Sequence, residues 1–147
     1  MNATTEKMFG FRKWWVEQGN DVEELDDVDF TNDDLIEIGR EEYLVLTDEE
    51  ADEKTKEYIL DSVWAFSKSF LDAHSEAIAE MDDDVFKKIQ EMCEGANKTI
   101  LRLIDDVDHF VEDAIAADGR GHFLSGYDGE ENGIKVNEVY YFIYRTN

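Results

Sequence analysis

Proline is absent from this chain of 147 residues, cysteine occurs once, and only 14 residues are lysine or arginine. Without proline there is no rigid polyproline spacer and no Pro-rich recognition segment. The lone Cys93 cannot close an intramolecular disulfide, which suits a reducing compartment such as the cytoplasm. No apolar run approaches the ~18 residues of a membrane span. The opening residues, Met1 to Trp15, hold no apolar stretch of the kind a secretory leader needs, so none is expected. The scarcity of cations matters most. Set against 38 Asp and Glu, it leaves a formal net charge of −24, a field that repels nucleic acid and anionic membranes and attracts basic surfaces and cations.

So acidic a chain invites a reading as disordered, but hydrophobic residues make up 42% and aromatics 12%, with three Trp. A solvating acidic tail lacks such residues. The length fits one domain, 1–147, with enough chain to bury a core.

Periodicity divides that domain. A short helix is predicted over Thr5–Gln18, with Phe9, Trp14 and Trp15 as core anchors and Gly19-Asn20 as its stop. Thr31 is placed to cap a brief helix from Asn32 to Ile38 that ends at Gly39. The run Tyr43 to Leu46 has the length and residue types of a buried strand. Thr47 and Glu50 form a capping-box pattern with acidic residues between them, and apolar positions continue at helical spacing to Phe70, predicting a long helix over 48–73. A second long amphipathic helix is expected from Val85 to Ile104, and a third over 107–117 that stops near Gly119 and Gly121. Asp128-Gly129 and Asn132-Gly133 read as turns, and Val139 to Tyr144 as a central strand apolar on both faces. The expected class is α+β: helices packed on a small, mainly antiparallel sheet formed by the C-terminal hairpin and one earlier strand.

The carboxylates crowd into 21–57, where only Arg40, Lys54 and Lys56 oppose them. Such density costs stability through self-repulsion, so its persistence points to use. Carboxylates three to four residues apart on a helix recur every ~5–6 Å along one face, a spacing that approximates a row of phosphates. Asp26, Asp27, Asp29, Asp33, Asp34, Glu49, Asp52 and Glu53 are therefore the candidate partner-binding residues. Each would stand in for a phosphate opposite Lys or Arg of a basic nucleic-acid-binding protein. Direct contact with nucleic acid is not expected, and a homodimer would lengthen the charged face. The bland alternative is an accessory protein whose charge is only a solvated surface.

Other constellations are weaker. Asp105, His109 and Asp113 share one helix face at i, i+4 spacing, but no second row of ligands matches them, so they read as solvated. Asp82 to Asp84 lack the Gly turn and closing Glu of a calcium loop and read as charge at a helix start. His74 reads as a cation at a helix C-terminus. The segment 119–131 gathers His122, Ser125, Asp128, Glu130 and Glu131 on glycine-rich backbone. A metal-dependent hydrolase or nuclease centred on His122, Asp128, Glu130 and Glu131 is the alternative from another class, although no Gly-x-Ser-x-Gly elbow frames Ser125. No metal or organic cofactor is expected to be needed for folding, because the chain has one Cys, three scattered His and no nucleotide fingerprint.

Two stretches, Glu42 to Glu53 running into Tyr58 to Phe66, and Asp118 to Glu131 with the ending Tyr144 to Asn147, resemble small acidic proteins of tailed bacteriophages. The resemblance covers under half of the chain. That group has no established activity, so it lends no catalytic residues. It implies the cytoplasm of an infected bacterium. By analogy with other compact acidic phage proteins, it also implies a role in blocking host defence or regulatory proteins such as a restriction enzyme or a CRISPR effector.

Overall fold

The computed structural model describes residues 2–31 and 34–147. The chain divides into two compact units. One comprises the residues up to Lys54 together with Arg120–Asn147, and the other is Thr55–Gly119. Among the described residues no helix is long and apolar enough to cross a membrane.

The first unit is a four-stranded antiparallel sheet with helices, the α+β arrangement expected from the pattern. It is built from β1 (Leu35–Ile38), β2 (Glu41–Thr47), β3 (Asn132–Val136) and β4 (Val139–Arg145) in the order β1-β2-β4-β3. β2 and β4 are central, which is why both of their faces are apolar. Tyr43, Val45, Tyr141 and Ile143 project to one side, where Phe11 and Trp15 of α1 (Ala3–Glu17) and Leu25 complete the core. Leu44, Leu46 and Tyr144 project to the other, against Ala51 at the start of α2 (Asp48–Asp61). α1 starts on Asn2, whose side chain accepts from the Thr5 N–H. Trp15 is the anchor expected, whereas Phe9 is exposed and Phe11 takes the buried position.

Of the brief helix expected over 32–38, Asn32 and Asp33 lie outside the described residues, and Leu35–Ile38 is not helix but strand β1. Its Leu-Ile-Glu-Ile sequence pairs in register with Glu41 to Leu44 across the two-residue turn Gly39-Arg40, and Gly39 supplies the required φ of +61°. Glycine after an apolar run marks a hairpin turn as readily as a helix end. Likewise Asn132-Gly133 lies inside β3 rather than in a turn. The hairpin turns at Asn137-Glu138, both left-handed at φ 49° and 70°.

The second unit is helical: the rest of α2, then α3 (Lys68–Asp72), α4 (Glu76–Ala79), α5 (Asp83–Gln90), α6 (Asn97–Leu103) and α7 (Val107–Asp118), with short 3₁₀ turns between. The capping box at Thr47 is present, Glu50 N–H meeting Thr47 Oγ1 at 3.2 Å and Thr47 N–H meeting Glu50 Oε1 at 3.0 Å. The helix it starts does not run to residue 73, however. It ends at Asp61, because Ser62 Oγ bonds back to Tyr58 O at 2.6 Å and Asn97 fills the break. Asn97 Nδ2 donates to Asp61 O at 2.6 Å, and its Oδ1 accepts from Trp64 N–H at 3.0 Å. Ser67 then caps α3 afresh. The helix expected over 85–104 is also divided, at Cys93, whose φ is +53°. Apolar spacing carries on across both interruptions, so periodicity alone does not reveal them. α7 occupies its expected place, capped by Asp106 and ended at Gly119.

Candidate functional site

The carboxylates singled out in the sequence belong to the first unit. Asp26, Asp27 and Asp29 follow the 3₁₀ turn Val22–Leu25, which a capping box of Asp21 and Glu24 starts and buried Leu25 anchors. Asp34 directly precedes β1 at a φ of +60°, and Asp33 lies outside the described residues. Glu49, Asp52 and Glu53 stand on the first turns of α2 at i, i+3, i+4 spacing, on one face of the helix. All the described members are exposed. Asp26, Asp27, Glu49 and Glu53 have no ion-pair partner among the described residues, whereas Asp52 meets Arg120 Nη1 at 3.1 Å.

Four cations of this unit, Lys7, Arg120, Lys135 and Arg145, are paired with carboxylates. Lys7, buried, meets Glu50 at 2.8 Å. Burial of Glu50 opposes its ionisation, yet the hydrogen bonds from Lys7 and Thr47 hold its pKa below the ordinary value. Arg145 pairs with Glu41 and lies 3.6 Å over the Tyr127 ring, and Lys135 pairs with Glu138. Arg120, its side chain 11% exposed, reaches Asp48 at 2.8 Å, Asp52 and Glu131, and lies 4.6 Å over the Phe142 ring. Burial works against its charge, but the bonds to Glu131 and Asp48 keep its pKa above the ordinary value.

Beside these residues is an open groove of about 480 Å³ lined by the carboxylates Asp48, Glu49 and Glu138, by Val139, and by the rings of Tyr140 and Phe142. The two rings stack at 6.4 Å with 21° between planes. Acidic oxygens over aromatic faces are the chemistry that takes up an Arg or Lys side chain.

The segment 119–131 forms α8 (Arg120–Leu124) followed by a closed loop. Gly121 permits the crossing of helix and loop, since a Cβ there would lie 2.4 Å from Gly129 O. Ser125, buried, donates toward Arg145 O at 2.7 Å and Asp128 Oδ1 at 2.9 Å, and Asp128 in turn accepts from Glu130 N–H. These bonds close a turn. His122 is exposed against Phe123, Glu130 is exposed, and Glu131 is taken by Arg120 and the Tyr144 hydroxyl. His122, Asp128, Glu130 and Glu131 thus do different things in the loop.

The one grouping of three or more potential metal ligands among the described residues lies in the second unit: His74, His109 and Asp113. His109 and Asp113 were visible as a helical row. His74, from the turn after α3, joins them only through the fold. Asp105, the third member of that row, instead accepts from Glu76 N–H. Asp82 to Asp84 start α5, with Asp83 near Lys68.

Comparison with protein-family models, with curated proteins and with solved structures found no match.

Proposed function

We propose that the protein is a binding protein rather than an enzyme. In this reading it docks, through the exposed carboxylates of its first unit, onto a basic, nucleic-acid-handling protein and occupies the groove that phosphates would fill. One observation carries the reading: Lys7, Arg120, Lys135 and Arg145 are held by carboxylates of their own unit, while among the described residues Asp26, Asp27, Glu49 and Glu53 have no ion-pair partner. The groove beside Glu49 offers an anchor for a protruding Arg or Lys of that partner. The resemblance to acidic phage proteins makes an infected bacterium the setting and a host defence or regulatory protein the class of partner.

The contacts would be surface ion pairs, so affinity falls with added salt. The test is a pull-down from bacterial lysate with the immobilised protein at low and moderate salt, followed by mass spectrometry. Recovery of a DNA- or RNA-binding protein that elutes as salt rises supports the reading. Retention only of acidic or nucleic-acid-independent proteins overturns it.

A further inference from the structure

His74 is a histidine held still. Its backbone N–H donates to Leu71 O at 2.9 Å, and its carbonyl accepts from Asp105 N–H at 2.9 Å. Its ring is packed edge-on or tilted against Phe70, Phe110 and His109 at 5.3–5.5 Å, and the residue is only 6% exposed. What the ring leaves unburied faces a carboxylate: Nε2 lies 3.1 Å from Asp113 Oδ2. From α7, one turn before Asp113, the Nε2 of His109 approaches the other oxygen, Oδ1, at 3.8 Å. The three donor atoms all lie within 4.8 Å of one another.

We infer that His74, His109 and Asp113 form a binding site for a borderline divalent transition metal of the zinc, cobalt and nickel class. An ion with bonds of ~2.0–2.2 Å needs donor atoms about 3.0–3.5 Å apart. The His74–Asp113 separation already meets that, and rotation of the exposed His109 would bring its nitrogen, now 3.8 Å from Asp113 and within 4.8 Å of the His74 donor, into the same range. Two imidazoles with one carboxylate favour such ions over Mg²⁺ or Ca²⁺, which take oxygen ligands. The packed His74 supplies the fixed direction that long surface side chains lack. His109 and Asp113 are partly open to solvent, which leaves coordination positions for water. The metal takes the place of the direct His74–Asp113 contact and cancels part of the surrounding negative field.

The test is calorimetric titration of the full chain with Zn²⁺, and with Co²⁺ followed by visible absorption, in excess Mg²⁺ to occupy non-specific carboxylates. A Cys93→Ser background removes the exposed thiol as a competing ligand. His74 sits among aromatic rings and its loss would perturb folding, so the exposed ligands carry the experiment. One ion per chain should bind, raising the thermal midpoint. His109→Gln and Asp113→Asn should each weaken binding by more than the roughly tenfold that loss of even an outer partner of a ligand costs. Glu112→Gln, an exposed neighbour on α7, should leave it unchanged. Absence of binding in Mg²⁺, or affinity equal in His109→Gln, Asp113→Asn and the parent, overturns the site.

Discussion

Arg120 Nε donates to Glu131 Oε1 across 2.7 Å, and the same carboxylate oxygen accepts the hydroxyl proton of fully buried Tyr144. Through this pair α8 is tied to the segment before β3 and to the central strand β4. The carboxylates of Asp48 and Asp52 at the start of α2 both accept from Nη1 of the same guanidinium. Arg120→Ala removes the counter-charge from three carboxylates at once. It should lower stability by about 2 kcal/mol, less than a fully buried pair because Asp48 and Asp52 are solvated. A chemical denaturation midpoint checks it, and Arg120→Lys should restore only part of the loss because an ammonium lacks the guanidinium's fork of donors.

Alkaline pH above the ordinary tyrosine value of 10.0 should destabilise the protein through its buried tyrosines. Burial, then hydrogen bonds to Glu41 and Glu6 respectively, push the Tyr43 and Tyr141 hydroxyls up to about 12. Tyr144 is raised further by burial and by Glu131. A folded-state pKa above the unfolded value of 10.0 means that the unfolded chain releases these protons first. The stabilisation is therefore complete below pH 10 and is lost as pH rises toward 12 and beyond. The tyrosinate absorbance that Tyr43, Tyr141 and Tyr144 contribute should rise together with loss of helical circular dichroism. Ionisation of any of these three near pH 10 in a chain that stays folded would contradict it.

The hairpin between β3 and β4 carries a correctable strain. Asn137 suits a left-handed residue, but Glu138 holds φ at 70° with a side chain that is almost fully exposed. Glu138→Gly should stabilise the protein by about 1 kcal/mol, less the weak surface pair with Lys135. Thermal denaturation decides the sign.

Asn97 should be the sensitive residue at the interruption after α2. Its amide is the bridge across that interruption, so Asn97→Ala leaves Asp61 O and Trp64 N–H without their partner. A loss of about 1–2 kcal/mol is expected. Amide hydrogen exchange should quicken around Trp64 before it does in the sheet.

What the sequence disclosed follows the range of each signal. The capping box of Thr47 and Glu50, the helix 107–118 and the strand run Val139 to Tyr144 are local patterns, and each is where the pattern puts it. The breaks at Ser62 and Cys93 are set by distant hydrogen bonding or a single left-handed residue, while the apolar stripe passes through them unchanged. β1 has only four residues, so its strand identity rests on pairing with β2 rather than on its own composition. The acidic candidates were legible as charge, but not which of them are engaged: nothing near Asp52 in sequence announces Arg120. The approach of His74 to Asp113 is likewise a product of packing alone.

Competition by duplex DNA tests most directly whether the exposed carboxylates act as phosphate surrogates. The protein recovered from lysate is bound to the immobilised chain and challenged with increasing duplex DNA, in parallel with a chain carrying Asp26→Asn, Asp27→Asn, Glu49→Gln and Glu53→Gln. DNA should displace the partner from the parent, and the neutralised chain should retain little of it even at low salt, with its circular dichroism unchanged. Equal retention by both chains, or a partner that DNA does not displace, would contradict the account and leave the charge as a solvated surface.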